Sequence, residues 1–273
     1  MAESYYNAAS GNWSTAANWK GGTNGDGTLP TSADDVYANG KAVTIDQDIT
    51  VNSLRTTAGT TAVQGGSFTV STGGRTLTVN SQILAGSSNC LTFSAGTSNV
   101  STLTGSSLVI NGSAASASRI GLVNSAGGTV NITGRVVGGG VSNAYGMQNS
   151  GSGTISISGS VTGGTFSTAY GAANTSTGSL LCNGAVIASS TTPAVTDLAN
   201  NAGFVRVTGP ITNSTGINAL FVSHLCLVAA CDWTIALAGT PPAYNGTVII
   251  GNKSGGSGGG GRILRSSIIG AVS

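Results

Sequence analysis

The chain has 273 residues and a formal net charge of +2, with 44 glycines, 39% hydrophobic residues and only 7% charged residues. That apolar content excludes a disordered chain, and the lack of a Lys/Glu series excludes solvated helical faces. The basic residues are dispersed, which excludes a nucleic-acid face, and no apolar run approaches the roughly 20 residues of a membrane span.

The opening Met1-Ala2-Glu3-Ser4 is acidic and polar, without the apolar stretch of a signal peptide. The expectation is synthesis in a cytoplasm, unless a leader has been removed. Residues 1–40 differ from the rest. They hold Tyr5, Tyr6, Trp13, Trp19 and Tyr37, and six of the eight acids fall within residues 1–48: Glu3, Asp26, Asp34, Asp35, Asp46 and Asp48. Glu3 is the sole glutamate. A stacked-repeat protein exposes an apolar cross-section and an unpaired strand edge at its first coil, and these need cover. Two tryptophans six residues apart beside the Pro30 loop suit a cap.

The body follows as 41–250. Strand-like alternation begins at Ala42-Val43-Thr44-Ile45-Asp46 and Ile49-Thr50-Val51-Asn52-Ser53-Leu54. It continues with irregular spacing through Phe68-Thr69-Val70, Leu77-Thr78-Val79, Leu91-Thr92-Phe93 and Leu108-Val109-Ile110. Asn111-Gly112 reads as an early counterpart of Thr133-Gly134, a coil with one turn shortened.

From Ile120 to Leu220 the chain repeats every 25 residues. Val130, Ile155, Leu180 and Val205 form one column; Ile132, Ile157, Cys182 and Val207 a second; Gly134, Gly159, Gly184 and Gly209 a third; Val136, Val161, Val186 and Ile211 a fourth. A fifth is Ile120, Tyr145, Tyr170, Val195 and Leu220. Fixed periods of this size signal stacked repeats. Three short strands per cycle are what one coil of a parallel β-helix requires, so the expected fold is all-β: a single right-handed parallel β-helix of about 22–25 residues per coil. Asn124, Asn149 and Asn174 recur at a turn, where stacked amides make ladders. Tyr145 and Tyr170 read as inward core stacking, given their apolar column; facing outward, they would form an aromatic strip for glycans.

Phe221-Val222-Ser223-His224-Leu225 and Trp233-Thr234-Ile235-Ala236-Leu237 read as the last coils, Val248-Ile249-Ile250 as a final strand, and 251–261 as a Gly/Ser tether. The tail 262–273 is apolar, with Arg262, Ile263, Leu264, Arg265, Ile268 and Ile269 as candidate docking residues alongside Trp13 and Trp19. It either folds back or adds a strand to a neighbouring subunit, the latter being favoured.

Catalytic chemistry finds little to use. Glycoside hydrolysis usually needs two carboxylates about 5–10 Å apart, and the body offers only Asp197 and Asp232, which are 35 residues apart and out of phase with the repeat. Asp232 beside Trp233 resembles a sugar-site pairing, but an exposed Asp before a strand is the preferred reading. The cluster Asp34-Asp35 and Asp46-x-Asp48 could hold a cation; turn capping and salt bridges are preferred. His224 and Ser223 are neighbours on a strand and point to opposite faces. Cys90, Cys182, Cys226 and Cys231 have no metal-site spacing and read as reduced structural thiols. The expectation is no catalytic residue, no metal and no cofactor.

The opening also carries a resemblance. The pair Trp13-x5-Trp19, the segment Pro30-x3-Asp34-x-Val36, a strand ending at Asp46 and the Val51-x-Ser53-Leu54 strand resemble the start of β-solenoid proteins of two kinds. One is the structural proteins of tailed-phage virions, of head-decoration or fibre type; the other is autotransporter-type passenger domains. The resemblance spans residues 10–55. It implies a non-enzymatic virion-surface protein whose partners are capsid or tail proteins and copies of itself. The alternatives are a cell-surface, adhesin-like solenoid and a tailspike-like protein that binds or depolymerises host glycans.

Overall fold

The computed structural model describes residues 1–96, 99–166, 168–187 and 203–209. It also describes the backbone of the strands Leu198–Asn200, Ile211–Thr212, Leu220–Val222, Leu225–Ala229, Thr247–Gly251 and Arg262–Arg265. The chain is all-β, with parallel strands stacked into a β-solenoid of about 6 turns. Among the described residues the only helical segment is the short 3₁₀ turn Ala16–Asn18.

Each coil contributes one short strand to each of three ladders. The first runs through Val100–Thr104, Thr129–Ile132, Thr154–Ile157, Ser179–Cys182 and Phe204–Val207, all in parallel register. The second runs through Val109–Asn111, Arg135–Val137, Val161–Thr162, Val186–Ile187 and Ile211–Thr212. The third runs through Leu91–Phe93, Leu122–Asn124, Met147–Asn149 and Ala172–Asn174. In the earlier coils one strand serves two ladders. Thr76–Leu84 pairs through Thr76–Thr78 with Thr102–Thr104 and through Gln82–Leu84 with Val109–Asn111.

The alternation written into the sequence is what fills the interior. In Thr129-Val130-Asn131-Ile132 the two aliphatics are buried and the two polar residues half-exposed, and Thr154–Ile157 repeats the pattern. Val130 lies opposite Ile155, Ile155 opposite Leu180 and Leu180 opposite Val205. Adjacent parallel strands sit about 4.8 Å apart, so every inward side chain packs on its counterparts above and below. Each buried Val, Ile or Leu contributes about 1.5–3 kcal/mol.

The glycine column has a steric cause. A Cβ on Gly159 would lie 2.0 Å from the carbonyl oxygen of Gly134, and one on Gly184 or Gly209 would lie 2.0 Å from that of Gly159 or Gly184. Four coils turn at the same place, and the backbones approach too closely there for any side chain.

Four expectations change. Leu220 pairs with Leu198, not with a residue of the Tyr170 column, because that coil is 22 residues long rather than 25. Asn111 pairs with Val137, so Asn111-Gly112 is not the counterpart of Thr133-Gly134. That coil is longer than its neighbours rather than shorter: Leu91 pairs with Leu122, 31 positions on, against 23 from Phe68 to Leu91 and 25 from Leu122 to Met147. The strand Val100–Thr104 is an addition. Last, Thr247–Gly251 is not the final strand, since Arg262–Arg265 pairs with it antiparallel, folding the chain back on itself.

Candidate functional site: the capped end and the flanks

At the start of the solenoid, Ala2–Tyr6 lies between Trp19–Gly21, antiparallel, and Asp34–Tyr37, parallel. Through Asp34–Tyr37 and residues 53–55 and 82–84 this strand leads the second ladder, and the three-residue Trp19–Gly21 takes the outermost place. A short outer strand that ends in Gly21 and Gly22, both at positive φ, offers little edge for another chain to extend.

Beneath it the aromatics close the core. Trp13 is 1% exposed, and Trp19 and Tyr6 are 0% exposed. The Trp13 and Trp19 rings meet edge-on at 4.7 Å, Tyr6 meets Trp19 at 5.0 Å, and Trp13 tilts against Phe68 at 6.1 Å. The Trp19 indole Nε1 donates to the Trp13 carbonyl at 2.9 Å, so the buried N–H has its partner. Neither indole ring is presented to the surface; their work is to cover the first coil.

The acids of this region hold loops. Asp34, buried, accepts from the Thr23 amide and hydroxyl at 2.7 and 2.6 Å and from the Thr31 amide and hydroxyl at 2.7 and 2.9 Å. Burial alone would push its carboxyl up, but these four donors outweigh that and hold it below the ordinary value. Asp35 pairs with Arg55 at 3.4 Å, Asp46 takes the Ser14 amide at 3.0 Å, Asp48 the Thr76 amide at 2.9 Å, and Asp26 pairs with Lys20 at 3.2 Å. Asp34 thus caps its own turn, Asp35 forms an ion pair, and Asp46 and Asp48 tie down the distant Ser14 and Thr76 rather than capping a turn. Among the described residues no three His, Cys, Asp or Glu side chains come together.

One device was not foreseen. Glu3 reaches the loop at 59–62 and accepts from the amides of Thr60, Thr61 and Ala62 at 2.7, 3.1 and 2.6 Å, and also from the Thr60 hydroxyl. These bonds depress its pKa against the opposing effect of burial. The Glu3 side chain occupies the space where a Cβ of Gly59 would fall, 2.5 Å from the carboxylate. The sole glutamate is therefore a latch from the first strand to a loop 57 residues away.

Along the flanks, Tyr145 and Tyr170 stack with centroids 5.1 Å apart and planes 24° from parallel. They are half-buried and lie outside the central core, contrary to the inward reading. Burial raises both hydroxyl pKa values, with Tyr170 adding to the effect on Tyr145. Asn124, Asn149 and Asn174 form the expected ladder. Asn124 Nδ2 donates to Asn149 Oδ1 and Asn149 Nδ2 to Asn174 Oδ1, both at 3.1 Å, and the same amides reach the Gly128, Gly153 and Gly178 carbonyls at 3.5, 3.0 and 3.0 Å. Cys90 is a fully buried thiol whose pKa burial pushes up to about 12, so it is inert packing. Cys182 is buried opposite Ile157 and Val207.

At the other end, Arg262, Ile263, Leu264 and Arg265 form the fold-back strand, with Ile263 opposite Ile249. Ile268, Ile269, Asp197, Ser223, His224, Cys231, Asp232 and Trp233 lie outside the described residues, as does the Cys226 side chain. Compared with known proteins, the chain matches no family model, no curated protein and no solved structure.

Proposed function

We propose that this chain is a non-enzymatic structural protein of a tailed-phage virion, a head-decoration or fibre component. It serves as a stiff spacer that docks through its ends onto other virion proteins and copies of itself. The observation that carries the reading is the cap. Trp13, Trp19, Asp34 and Val36, four of the residues on which the N-terminal resemblance rests, are buried in it, with Trp19 bonded to Trp13 and Asp34 clamping Thr23 and Thr31. The motif is a structural closure and not a chemical site. The flanks support the same reading: their strands pair with those of neighbouring coils, and the described carboxylates, all within residues 1–48, are engaged in hydrogen bonds or ion pairs.

The test is quantitative mass spectrometry of particles purified through a density gradient. The proposal expects peptides of this chain at a fixed ratio to the capsid or tail protein after a high-salt wash. Recovery only in host envelope fractions would favour the adhesin-like alternative, and release of reducing sugar from host polysaccharide would favour the tailspike-like one.

A further inference from the structure

The chain contains five Asn-Gly dipeptides, at Asn24, Asn39, Asn111, Asn183 and Asn245, the last outside the described residues. Asn-Gly is the pair most open to spontaneous deamidation, because a glycine amide meets no side chain as it swings toward the asparagine carboxamide. Folding decides which of these pairs can react. Asn39 is held from both ends: its Nδ2 donates to the Tyr6 carbonyl at 2.8 Å, its Oδ1 accepts the Val63 amide at 2.7 Å, and the Gly40 amide donates to Gly65 at 3.0 Å. The Asn183 carboxamide accepts from the Thr208 hydroxyl at 2.9 Å and donates to Ser156 at 3.4 Å, and Gly184 is packed against the Gly159 carbonyl. Asn111 lies within a paired strand, and the Gly112 amide donates to Val137 at 3.1 Å.

Asn24-Gly25 is built differently. Asn24 is exposed and its carboxamide has no hydrogen-bond partner among the described residues. Gly25, at φ +81°, has nothing within 4 Å of the place where a Cβ would fall. Its amide holds only the 3.4 Å contact to the Gly22 carbonyl. The loop is pinned on one side by Thr23 on Asp34 and on the other by Asp26, which accepts the Gly21 amide at 2.8 Å. The reactive pair is the slack between two anchors.

We infer that Asn24 is a site of spontaneous deamidation in the folded protein, and the only reactive one of the four described Asn-Gly pairs. The Gly25 amide nitrogen, giving up its proton to water, attacks Asn24 Cγ; the new N–C bond forms as ammonia leaves, giving a succinimide. Water then opens the ring at either carbonyl to give aspartate or isoaspartate. No redox partner is required. The product sets a new carboxylate beside Asp26 and its Lys20 partner, and the isoaspartyl form lengthens the main chain between the two anchors.

The test ages the full chain, folded in one arm and urea-unfolded in the other, at mildly alkaline pH. Tryptic mapping with fragmentation and an isoaspartyl methyltransferase assay then read the products. The expected result is conversion at Asn24 in the folded arm while Asn39, Asn111 and Asn183 stay intact, and conversion at all four in the unfolded arm. Asn24→Gln removes the folded-arm signal. Equal conversion at the four sites in the folded protein, or an intact Asn24 where the unfolded arm reacts, would overturn the assignment.

Discussion

Asn149 donates its side-chain amide to Asn174 Oδ1 of the next coil at 3.1 Å and receives the same bond from Asn124 of the coil before it. The ladder has a direction, and its first member shows it: Asn124 Oδ1 is buried with no donor, because the residue opposite it in the preceding coil is Phe93.

That asymmetry predicts unequal costs along the ladder. Asn149→Ala strips the donor from Asn174 and from the Gly153 carbonyl, and the acceptor from Asn124. A buried polar group left unsatisfied costs about 1–3 kcal/mol, so the loss should reach about 2–4 kcal/mol. Asn124→Ala strips the donor from Asn149 and the longer 3.5 Å bond from Gly128, but the oxygen it removes has no partner and no neighbour loses an acceptor, so it should cost less. Urea titration of both variants ranks them; equal midpoints would contradict the direction assigned to the ladder.

The stacked glycines make a sharper steric prediction. Gly159→Ala places a methyl carbon 2.0 Å from a backbone carbonyl that cannot yield without parting two coils, so the variant should lose several kcal/mol or fail to fold. Gly25→Ala meets no atom and carries only the left-handed backbone cost of about 1–2 kcal/mol. Thermal melts of the two variants separate crowding from conformational strain.

Trp19→Phe keeps most of the buried ring but deletes the Nε1 donor, leaving the Trp13 carbonyl without its 2.9 Å bond. The expected loss is about 1–3 kcal/mol, against about 3–5 kcal/mol for Trp19→Ala. Near-ultraviolet circular dichroism should report the change, since Trp13 and Trp19 are in ring contact.

Acid should loosen the capped end first. The folded-state pKa values of Asp34 and Glu3 lie below their ordinary values of 3.8 and 4.5. Their contribution is therefore complete above the ordinary carboxylate range and is lost as pH falls through the depressed folded values. Protection of the Thr60, Thr61 and Ala62 amides, relative to their intrinsic exchange rates, should fall as pH drops below the ordinary carboxylate range. Glu3→Gln should raise exchange at neutral pH and flatten the acid dependence; an unchanged profile in Glu3→Gln would show that the latch contributes nothing.

The solenoid was legible because its interior is written in alternation. Val130, Ile155, Leu180 and Val205 can be aligned by counting, and parallel stacking turns that count into register. Counting failed where a coil changed length: Leu220 is 25 residues past Val195, yet its coil steps by 22. Tyr145 shares a column with Ile120 but sits at a corner, where a ring can be half-covered by its neighbour. Trp13 and Trp19 were readable as a cap, while the Glu3 latch was not. Its partners are main-chain amides of a distant loop, and nothing in residue types announces an amide. The sole glutamate was the one available hint.

The central claim is that specificity resides at the ends of a rod. The direct measurement is incorporation of variants into purified particles, read as the ratio of this chain to the capsid protein. The account predicts that Ile268→Asp with Ile269→Asp, at the tail, abolishes incorporation, while Tyr145→Ser, on the flank, leaves it unchanged. Full incorporation of the tail variant together with loss of the flank variant would contradict it.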